Sequence, residues 1–233
     1  MLKFASGILA LVLAAPVRVT PPTDQTILLD QQTIVNAGGF PFKITAPGSY
    51  KLLGNLVVPP DASGILVQSS DVTLDLNGFS ITGGIVCDNG GFDCTPVPAR
   101  DTIGVEAILG GQPVANIFGV AIRNGHIRGF TFGISTFGGI VEQITAQGNL
   151  TAGISGSSVL VRKNDASRNH GNGIQCNSCV VTENIASLNQ GNQFLVGFGG
   201  IFSNNAAVTR GDFGVNNFGA VSANNNSCNG TLC

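Results

Sequence analysis

The sequence predicts an all-β protein folded as a right-handed parallel β-helix, a β-solenoid with coils of about 20 residues. One observation behind this prediction is a column of aliphatic residues spaced by twenty: Ala121, Val141, Val161, Val181, Ile201 and Val221. Another is the alternation of apolar and polar residues over short runs, interrupted by glycine or asparagine, which favours strands over helices. Because each coil buries apolar side chains only against its neighbours, we expect the column to form one interior file. The handedness follows from the preference of parallel strand crossovers.

Other residue types repeat at the same spacing. One asparagine column, broken by Ile144, contains Asn124, Asn164, Asn184, Asn204 and Asn224, and a second contains Asn149, Asn169 and Asn189. An alanine column contains Ala146, Ala166, Ala186 and Ala206, and a Gly-Ile column contains Gly133-Ile134, Gly153-Ile154 and Gly173-Ile174. Asparagine tolerates left-handed turns, and stacked amides donate and accept hydrogen bonds along the stack. We therefore predict that the asparagines are structural and do not bind a ligand.

The N-terminal residues 1–15 have the features of a secretory signal peptide. Lys3 precedes an apolar run of about ten residues, and small residues follow before Pro16. Such a run is too short to span a bilayer, which takes about 20 apolar residues. A buried N-terminal helix is the alternative. We therefore expect a secreted bacterial protein, extracellular or at the cell surface, with no membrane span in the mature chain.

The rest of the chain is predicted to be one domain. Residues 16–58 are expected to lead in and cap the solenoid, with strand-like segments at 42–45 and 50–58 around a turn at 46–49. Residues 59–233 are expected to form the β-helix, and Gly104-Val105 takes the place of a Gly-Ile pair. About eighteen extra residues lie between Gly78 and Gly104. They predict an insertion near 82–103 that projects from the side of the solenoid.

The six cysteines are arranged as three close pairs: Cys87 with Cys94, Cys176 with Cys179, and Cys228 with Cys233. An even number of cysteines after an export signal predicts structural disulfides. Metal binding by the C-x-x-C motif is disfavoured because the next cysteine pair lies 49 residues further on, and no histidine lies near that second pair. Redox chemistry is disfavoured because no βαβ pattern surrounds the motif. We expect the bridges to fasten loops, and we expect no metal and no cofactor.

Several segments resemble a known group of proteins. The segment 44–50 with Gly54–Val58, followed by Val72–Ile81, resembles the opening of small bacterial secreted right-handed parallel β-helix proteins in the pectate-lyase-like group. The resemblance covers about residues 42–230. It implies the fold, whereas the activity stays open because this architecture hosts lyases, hydrolases, epimerases and adhesins.

The composition limits the function. The net charge of −2 and the 10% of charged residues disfavour nucleic-acid binding. Without tryptophan, a sugar-stacking groove would depend on the 14 phenylalanines. The group's motifs Asn-Thr-Asp, Asp-Asp, Gly-His-Gly and Asp-Pro-His-Glu do not occur, which makes catalysis the less favoured interpretation.

Charged side chains repeat on what we expect to be the outer face. The column contains Arg123, Gln143, Lys163 and Glu183. Coils about 4.8 Å apart would bring Lys163 beside Glu183, and Glu142 beside Arg162, within salt-bridge range. One interpretation is solvated cross-strand pairs. The other is a shallow ligand-binding face on which Arg123 and Lys163 receive uronate groups of an extended glycan.

The two histidines are interpreted differently. His126 falls in the alanine column, so we expect it to face inward or lie at a corner, with a structural role. His170 lies in a turn close to Asp165 in sequence, where it is either an ordinary exposed residue or an acid–base group. If the protein is catalytic, the candidate residues are His170, Lys163, Asp165 and Arg168.

Three functions remain as hypotheses. The preferred one is a non-catalytic extracellular or cell-surface module that binds a polysaccharide or another envelope component through one lateral face. The second is a polysaccharide lyase or epimerase with a groove lined by Arg123, Lys163, Asp165 and His170. The third is a structural protein that self-associates through the solenoid ends into fibres.

Overall fold

The computed structural model of the chain describes residues 25–88, 93–107, 117–209, 215–217, 221–223, 225–229 and 231–232. These residues form strands and one short helix, α1 (Gln31–Asn36). The first thirteen strands are β1 (Ile27–Leu29), β2 (Phe42–Ile44), β3 (Gly48–Leu52), β4 (Leu56–Val57), β5 (Ile65–Val67), β6 (Val72–Asp75), β7 (Ser80–Thr82), β8 (Val86–Cys87), β9 (Cys94–Thr95), β10 (Ile103–Ala107), β11 (Ala121–Arg128), β12 (Phe132–Phe137) and β13 (Ile140–Gln147). The others are β14 (Ala152–Ser157), β15 (Leu160–Arg162), β16 (Asp165–Ser167), β17 (Asn172–Asn177), β18 (Val180–Thr182), β19 (Ile185–Ser187), β20 (Phe194–Val196), β21 (Ile201–Ser203), β22 (Ala206–Val208), β23 (Val215–Asn217), β24 (Val221–Ser222), β25 (Ser227–Cys228) and β26 (Thr231–Leu232).

Parallel pairing between strands of successive coils gives the solenoid three faces. Face 1 contains β1, β3, β6, β15, β18, β21 and β24, together with the first halves of β11 and β13. Face 2 contains β4, β7, β16, β19, β22 and β25, together with the second halves of β11 and β13. Face 3 contains β2, β5, β10, β12, β14, β17, β20 and β23. The inward side chains of all three faces share one hydrophobic core, which confirms the predicted parallel β-helix.

The central part of the predicted interior file is confirmed. Val141, Val161 and Val181 pair in register on face 1 and are fully buried. The predicted Gly-Ile column is also correct, because the isoleucines stack in register on face 3. The alanine file continues through Ala146, Ala166 and Ala186 to Ala207, in place of Ala206.

The constant 20-residue period was wrong at both ends of this file. Ile122, not Ala121, pairs with Val141, because this coil is one residue shorter. Phe202, not Ile201, pairs with Val181, because the corner around 197–200 contains one residue more than the preceding corner. Since successive strand residues face opposite sides of a sheet, a shift of one residue turns Ala121 and Ile201 outward.

The corner between face 1 and face 2 is formed by residues with left-handed backbone. Their φ values are 60° at Asn124, 55° at Gln143, 56° at Lys163, 57° at Glu183, 54° at Asn204 and 70° at Asn225. All six are exposed. Asn124 and Asn204, predicted as members of an amide ladder, therefore lie at the turn itself. Asn224 is outside the described residues.

A buried asparagine ladder runs directly beside this corner. The backbone N–H of Asn164 donates to Asn184 Oδ1 at 3.0 Å, and that of Asn184 donates to Asn205 Oδ1 at 2.9 Å. The ladder ends at Asn226, whose Oδ1 accepts from the Asn205 N–H at 3.0 Å. The predicted ladder is confirmed at Asn164 and Asn184, and the longer coils move its next members to Asn205 and Asn226.

The second ladder, between face 2 and face 3, is confirmed at every predicted position. The backbone N–H groups of Asn149 and Asn169 donate to the side-chain oxygens of Asn169 and Asn189 at 3.0 and 2.9 Å. The amides occupy the space beside the Gly-Ile column. A Cβ atom added at Gly153 would lie 2.8 Å from Asn169 Nδ2, and one at Gly173 would lie 2.5 Å from Asn189 Nδ2. The glycines therefore provide room for the ladder.

The N-terminal part contributes coils as well as a cap. Strand β1 pairs with β3, so the parallel stack begins before the expected boundary at residue 59. Asp30 caps the N-terminus of helix α1, because its side chain accepts a hydrogen bond from the Thr33 N–H at 2.7 Å. That bond lowers the pKa of the Asp30 carboxyl. Ile34 of the helix is buried in the core. Residues 1–15, and with them the predicted signal peptide, lie outside the described residues.

The predicted insertion is a short antiparallel hairpin of β8 and β9, closed by the Cys87–Cys94 disulfide. The Cys176–Cys179 disulfide is also present, and both of these residues are buried. The predicted Cys228–Cys233 pair includes Cys233, which is not among the described residues. At the C-terminal end, β26 turns back and pairs antiparallel with β25.

One carboxylate on face 3 is partly withdrawn from water. Glu106 lies on the outer side of β10, between Leu66 and Ser135 on the flanking strands. Burial raises its pKa above the usual value of 4.5. The folded chain therefore holds the proton of this carboxyl more tightly than the unfolded chain does. The stability gained from protonation is complete below pH 4.5 and is lost as the pH rises through the pKa of the folded state.

We expect Glu106→Gln to raise the midpoint of thermal unfolding at pH 7, because the amide carries no charge to desolvate. The gain should disappear below about pH 4, where the wild-type carboxyl is protonated in both the folded and the unfolded state. Differential scanning calorimetry between pH 3 and 7 measures both effects. Asp101→Asn, at an exposed carboxylate, is the control and should show no such pH-dependent gain. A gain that persists at acid pH would contradict this explanation.

Candidate functional site

The predicted ligand-binding column is divided by the structure. Gln143, Lys163 and Glu183 lie at the left-handed corner between faces 1 and 2. Arg123 lies on face 1, in register with Asp75 on one side and Glu142 on the other. The short coil before Val141 causes this displacement. The four residues therefore do not form one file, and the prediction that they share a column was wrong for Arg123.

The charged side chains of this region are already paired. Lys163 Nζ lies 3.7 Å from Glu183 Oε2, and Arg162 Nη2 lies 2.7 Å from Glu142 Oε2, as predicted. Arg123 Nε also lies 3.7 Å from a carboxylate oxygen of Asp75. Because each cation has a neighbouring carboxylate, the structure supports the interpretation as cross-strand pairs on a solvated surface.

The four predicted catalytic residues belong to one coil but occupy different parts of it. Lys163 lies at the corner between faces 1 and 2, and Asp165 lies on face 2, where it accepts a short hydrogen bond from Ser167 Oγ. Arg168 lies at the corner between faces 2 and 3, and His170 follows in the next turn. Of the four, only Arg168 lines the cleft on face 2 that is described below.

His126 is placed differently from the prediction. It pairs with Ser80 and Thr145 on the outer side of face 2 and is exposed. Ile127, one residue later, occupies the inward position in register with Ala146. The prediction that His126 faces inward was therefore wrong, again because the coil is one residue shorter than twenty.

A cleft lies between face 2 and the hairpin of β8 and β9. Its larger part has a volume of about 400 Å³. This part is lined by Thr82, Gly83, Ile85, Val86, Cys87, Asp88, Arg128, Gly129, Gln147, Gly148 and Arg168. A smaller part of about 290 Å³ is lined by Asn55, Gly78, Ser80, His126, Ile127, Arg128, Thr145 and Gln147. Arg128 and Gln147 line both parts, so the cleft is elongated and runs across successive coils.

The hairpin reaches the sheet at a glycine corner. Cys87 Sγ lies 3.3 Å from the carbonyl oxygen of Gly148, a residue 61 positions further along the chain. Gly129 and Gly148 have left-handed backbone with φ values of 79° and 62°, and in the next coil Arg168 has the same conformation with φ 54°. A Cβ atom at Gly148 would meet nothing within 4 Å, so the floor of the cleft is open there, whereas Gly129 is packed against the backbone of Gly83 and Ile85.

The cationic side chains of the cleft are available to a ligand. Arg128 Nε donates to Thr82 Oγ1 at 3.3 Å, which orients the guanidinium and leaves its terminal nitrogens free of ion pairs. Among the described residues, no carboxylate lies within salt-bridge distance of Arg128 or Arg168. Asp88, which has interactions of its own, is the carboxylate in the cleft lining. The cleft therefore presents two unpaired guanidinium groups.

Comparisons with known proteins give few matches. No protein-family model matches the sequence, and no curated protein matches it. Three faces of parallel strands stacked in register decide the fold class. The chain is a parallel β-helix protein. The resemblance to the pectate-lyase-like group thus holds for the fold. Among solved structures, the A-module of the mannuronan C-5 epimerase AlgE4 from Azotobacter vinelandii aligns with a TM-score of 0.43 and 12% identity, over 82% of this chain and 68% of that chain.

Two further properties concern only the described part of the chain. It contains no group of three or more His, Cys, Asp or Glu side chains arranged to hold a metal ion. Within the same residues, no helix has the length and apolar character needed to cross a membrane.

Proposed function

We propose that this β-helix binds an acidic, uronate-containing polysaccharide in the cleft between face 2 and the hairpin, without catalysis. The observation that carries the proposal is the pair of guanidinium groups, Arg128 and Arg168, that line one open cleft without carboxylate partners. A planar guanidinium forms two parallel hydrogen bonds with a carboxylate, so each arginine suits one uronate group.

The spacing of the two arginines fits an extended chain. Arg128 lies on β11, and Arg168 lies two coils further on, at the corner after β16. At about 4.8 Å per coil, their backbones are separated by roughly 10 Å along the solenoid. This distance is comparable with the repeat of a disaccharide in a linear polysaccharide. A chain lying across the coils would therefore present one carboxylate to each arginine.

The two disulfides support an oxidising location, which is where extracellular polysaccharides are found. An extracellular or cell-surface position is accordingly part of the proposal. The Cys87–Cys94 bridge also has a direct role, because it closes the hairpin that forms one wall of the cleft.

A lyase or epimerase activity is a second candidate, favoured by the position of His126. His126 and Arg128 face the same side of β11, and both line the smaller part of the cleft. An imidazole could remove the C5 proton of a uronate whose carboxylate is held by the arginine. In a lyase the C4–O bond then breaks, and the leaving oxygen takes a proton. In an epimerase a proton returns to C5 from the opposite face.

The proposal is tested by closing the cleft with Gly148→Leu. A Cβ atom at Gly148 meets nothing within 4 Å, and Leu188 occupies the same left-handed corner two coils further on with φ 57°. The leucine should therefore be accommodated, at a cost of about 1 kcal/mol for the backbone conformation. Because its side chain fills the cleft, we expect at least tenfold weaker binding of polygalacturonate or alginate, measured by isothermal titration calorimetry.

Gly39→Leu is the matched control. Gly39 has φ 85° and free space around it, but it lies next to α1 and does not line the cleft. Its affinity for the same polysaccharides should equal that of the wild type. Equal binding by Gly148→Leu and wild type would refute the site. Unsaturated product detected by ultraviolet absorbance, and lost in His126→Ala, would establish the lyase in place of the non-catalytic function.

A further inference from the structure

Face 1 carries an apolar stripe on its outer side. The stripe consists of Ala121, Ile140, Leu160, Val180, Ile201 and Val221, which pair in register from coil to coil. Val180, Ile201 and Val221 are 40%, 44% and 66% exposed. The outer side of a sheet that faces water normally carries polar residues, and a continuous apolar patch marks an interaction surface.

A charged column runs parallel to the stripe, two residues further along each strand. Its signs alternate from coil to coil in the order Asp75, Arg123, Glu142 and Arg162. The next two coils continue the column with the neutral residues Thr182 and Ser203. Face 1 thus has an apolar half and a half in which neighbouring coils carry opposite charges.

We propose that face 1 binds a second copy of this chain, with the two solenoids antiparallel and related by a twofold axis perpendicular to their length. This operation places stripe against stripe and charged column against charged column, whereas a parallel arrangement would place the stripe against charges. It is an isologous contact, in which the same surface serves both copies.

The alternating charges restrict where the axis can lie. If the axis passes through a coil, residues of like charge face each other. If it passes between two coils, facing residues are separated by an odd number of coils, so that two charged residues that face each other have opposite charge. For the axis described next, Arg123 faces Thr182 and Asp75 faces Ser203, so like charges do not meet. With the axis between the coils of Ile140 and Leu160, Ile140 of one copy faces Leu160 of the second copy, and Leu160 of the first faces Ile140 of the second. This axis also places Glu142 opposite Arg162 of the second copy.

This position of the axis gives the longest overlap. All eight coils from β3 to β24 then lie against the second copy, over a length of about 38 Å at 4.8 Å per coil. Stripe residues face stripe residues in the four central coils, whereas Ile201 and Val221 face Thr73 and Ser49, which hold the same column on β6 and β3. With two side-chain columns across, the contact buries roughly 800 Å² in total, which is the size of a weak, reversible interface. The cleft lies on face 2, so pairing through face 1 leaves both clefts open and does not depend on the proposed function.

Sedimentation velocity over a roughly hundredfold range of protein concentration tests the proposal. We expect the wild type to shift from monomer to dimer as the concentration rises. Val180→Glu places a charge in the stripe and should weaken dimerisation at least tenfold. Ile185→Glu is the matched control, because Ile185 is an outward aliphatic residue on face 2 with 51% exposure, and it should dimerise like the wild type. Circular dichroism confirms that each variant is folded.

The orientation is tested by oxidative cross-linking of Ile140→Cys with Leu160→Cys. A mixture of the two variants should cross-link at least tenfold more than either variant alone, since each residue faces the other across the axis. A wild type that stays monomeric at every concentration would overturn the proposal. So would a Val180→Glu variant that dimerises normally, or an Ile185→Glu variant that dissociates equally. Equal cross-linking of each variant alone would overturn the antiparallel arrangement.

Discussion

Asn169→Ala is expected to lower the free energy of unfolding by about 3–5 kcal/mol, although the residue touches no ligand. Asn169 is fully buried in the ladder between faces 2 and 3. Its side-chain oxygen accepts hydrogen bonds from both the N–H and the Nδ2 of Asn149, each at 3.0 Å. Its Nδ2 donates to the carbonyl of Ala146 at 3.1 Å and to Asn189 Oδ1 at 2.9 Å.

The expected loss comes mainly from groups that the variant leaves without partners. Alanine removes the acceptor of the buried Asn149 N–H and one of the two acceptors of Asn149 Nδ2, which keeps only the Gln147 carbonyl at 3.3 Å. Each unsatisfied buried donor hydrogen costs about 1–3 kcal/mol. Water cannot easily replace the amide, because the ladder packs against Gly133, Gly153 and Gly173. Since each coil is stabilised by its neighbours, the damage extends to the coils on either side.

Urea denaturation followed by circular dichroism measures this loss. Asn177→Ala is the control, because Asn177 is an exposed asparagine at the end of β17, the strand that follows Asn169. It should change the free energy of unfolding by less than about 0.5 kcal/mol. If Asn169→Ala were as stable as Asn177→Ala, the amide ladder would not be a major source of stability.

The fold could be predicted from the sequence because the solenoid repeats its packing. Val141, Val161 and Val181 lie in one file, and Asn149, Asn169 and Asn189 lie in another, so equal spacing in sequence reports equal position in space. The exact register could not be predicted in the same way. A corner can gain or lose one residue at little cost, and a one-residue change exchanges the inner and outer sides of the strand.

The errors at His126 and Arg123 have this single origin. The pair Ala121-Ile122 contains two apolar residues, so either one can be assigned to the interior by hydrophobicity alone. The flanking polar residues decide between them. Placing Ile122 inside also turns Arg123 and His126 outward, as the structure has them. The sequence contained a signal for the shorter coil. Aligning β11 with the inward residues of β13 places Ile122 inside, opposite Val141, and leaves this coil one residue shorter than twenty.

The cleft itself could not be located from the repeat. It depends on the hairpin of β8 and β9, which interrupts the repeat and returns to contact Gly148. Arg128 was overlooked because its column, with Gln147 and Ser167, is not a column of charges. A second insertion was also missed: Ala107 and Ala121 are 14 positions apart, whereas their partners Thr136 and Ile140 are 4 apart.

Arg128→Ala and Arg168→Ala are each expected to weaken the binding of polygalacturonate or alginate about tenfold or more. A charge-assisted hydrogen bond contributes about 1.5–3 kcal/mol, and 1.4 kcal/mol corresponds to a factor of ten in affinity. The double variant should lose about a hundredfold, because the two side chains lie two coils apart and contact different sugar units. Isothermal titration calorimetry or affinity electrophoresis provides the measurement.

Arg162→Ala is the matched control for charge. Arg162 is an arginine of face 1 that is already paired with Glu142 at 2.7 Å, so its removal should leave the affinity unchanged. The experiment is performed at low protein concentration, which keeps the chain monomeric. Arg128→Lys keeps the charge but loses the two parallel hydrogen bonds, and it should bind with an affinity between those of the wild type and Arg128→Ala.

The salt dependence separates specific contacts from general attraction. Binding to the wild type should weaken as the ionic strength rises, because guanidinium–carboxylate contacts in an open cleft are partly screened. The double variant should bind weakly and with a smaller salt dependence, since the two cations are gone. A neutral polysaccharide such as dextran should bind neither protein. If Arg162→Ala lost as much affinity as Arg128→Ala, the net charge of the chain, and not the cleft, would determine binding.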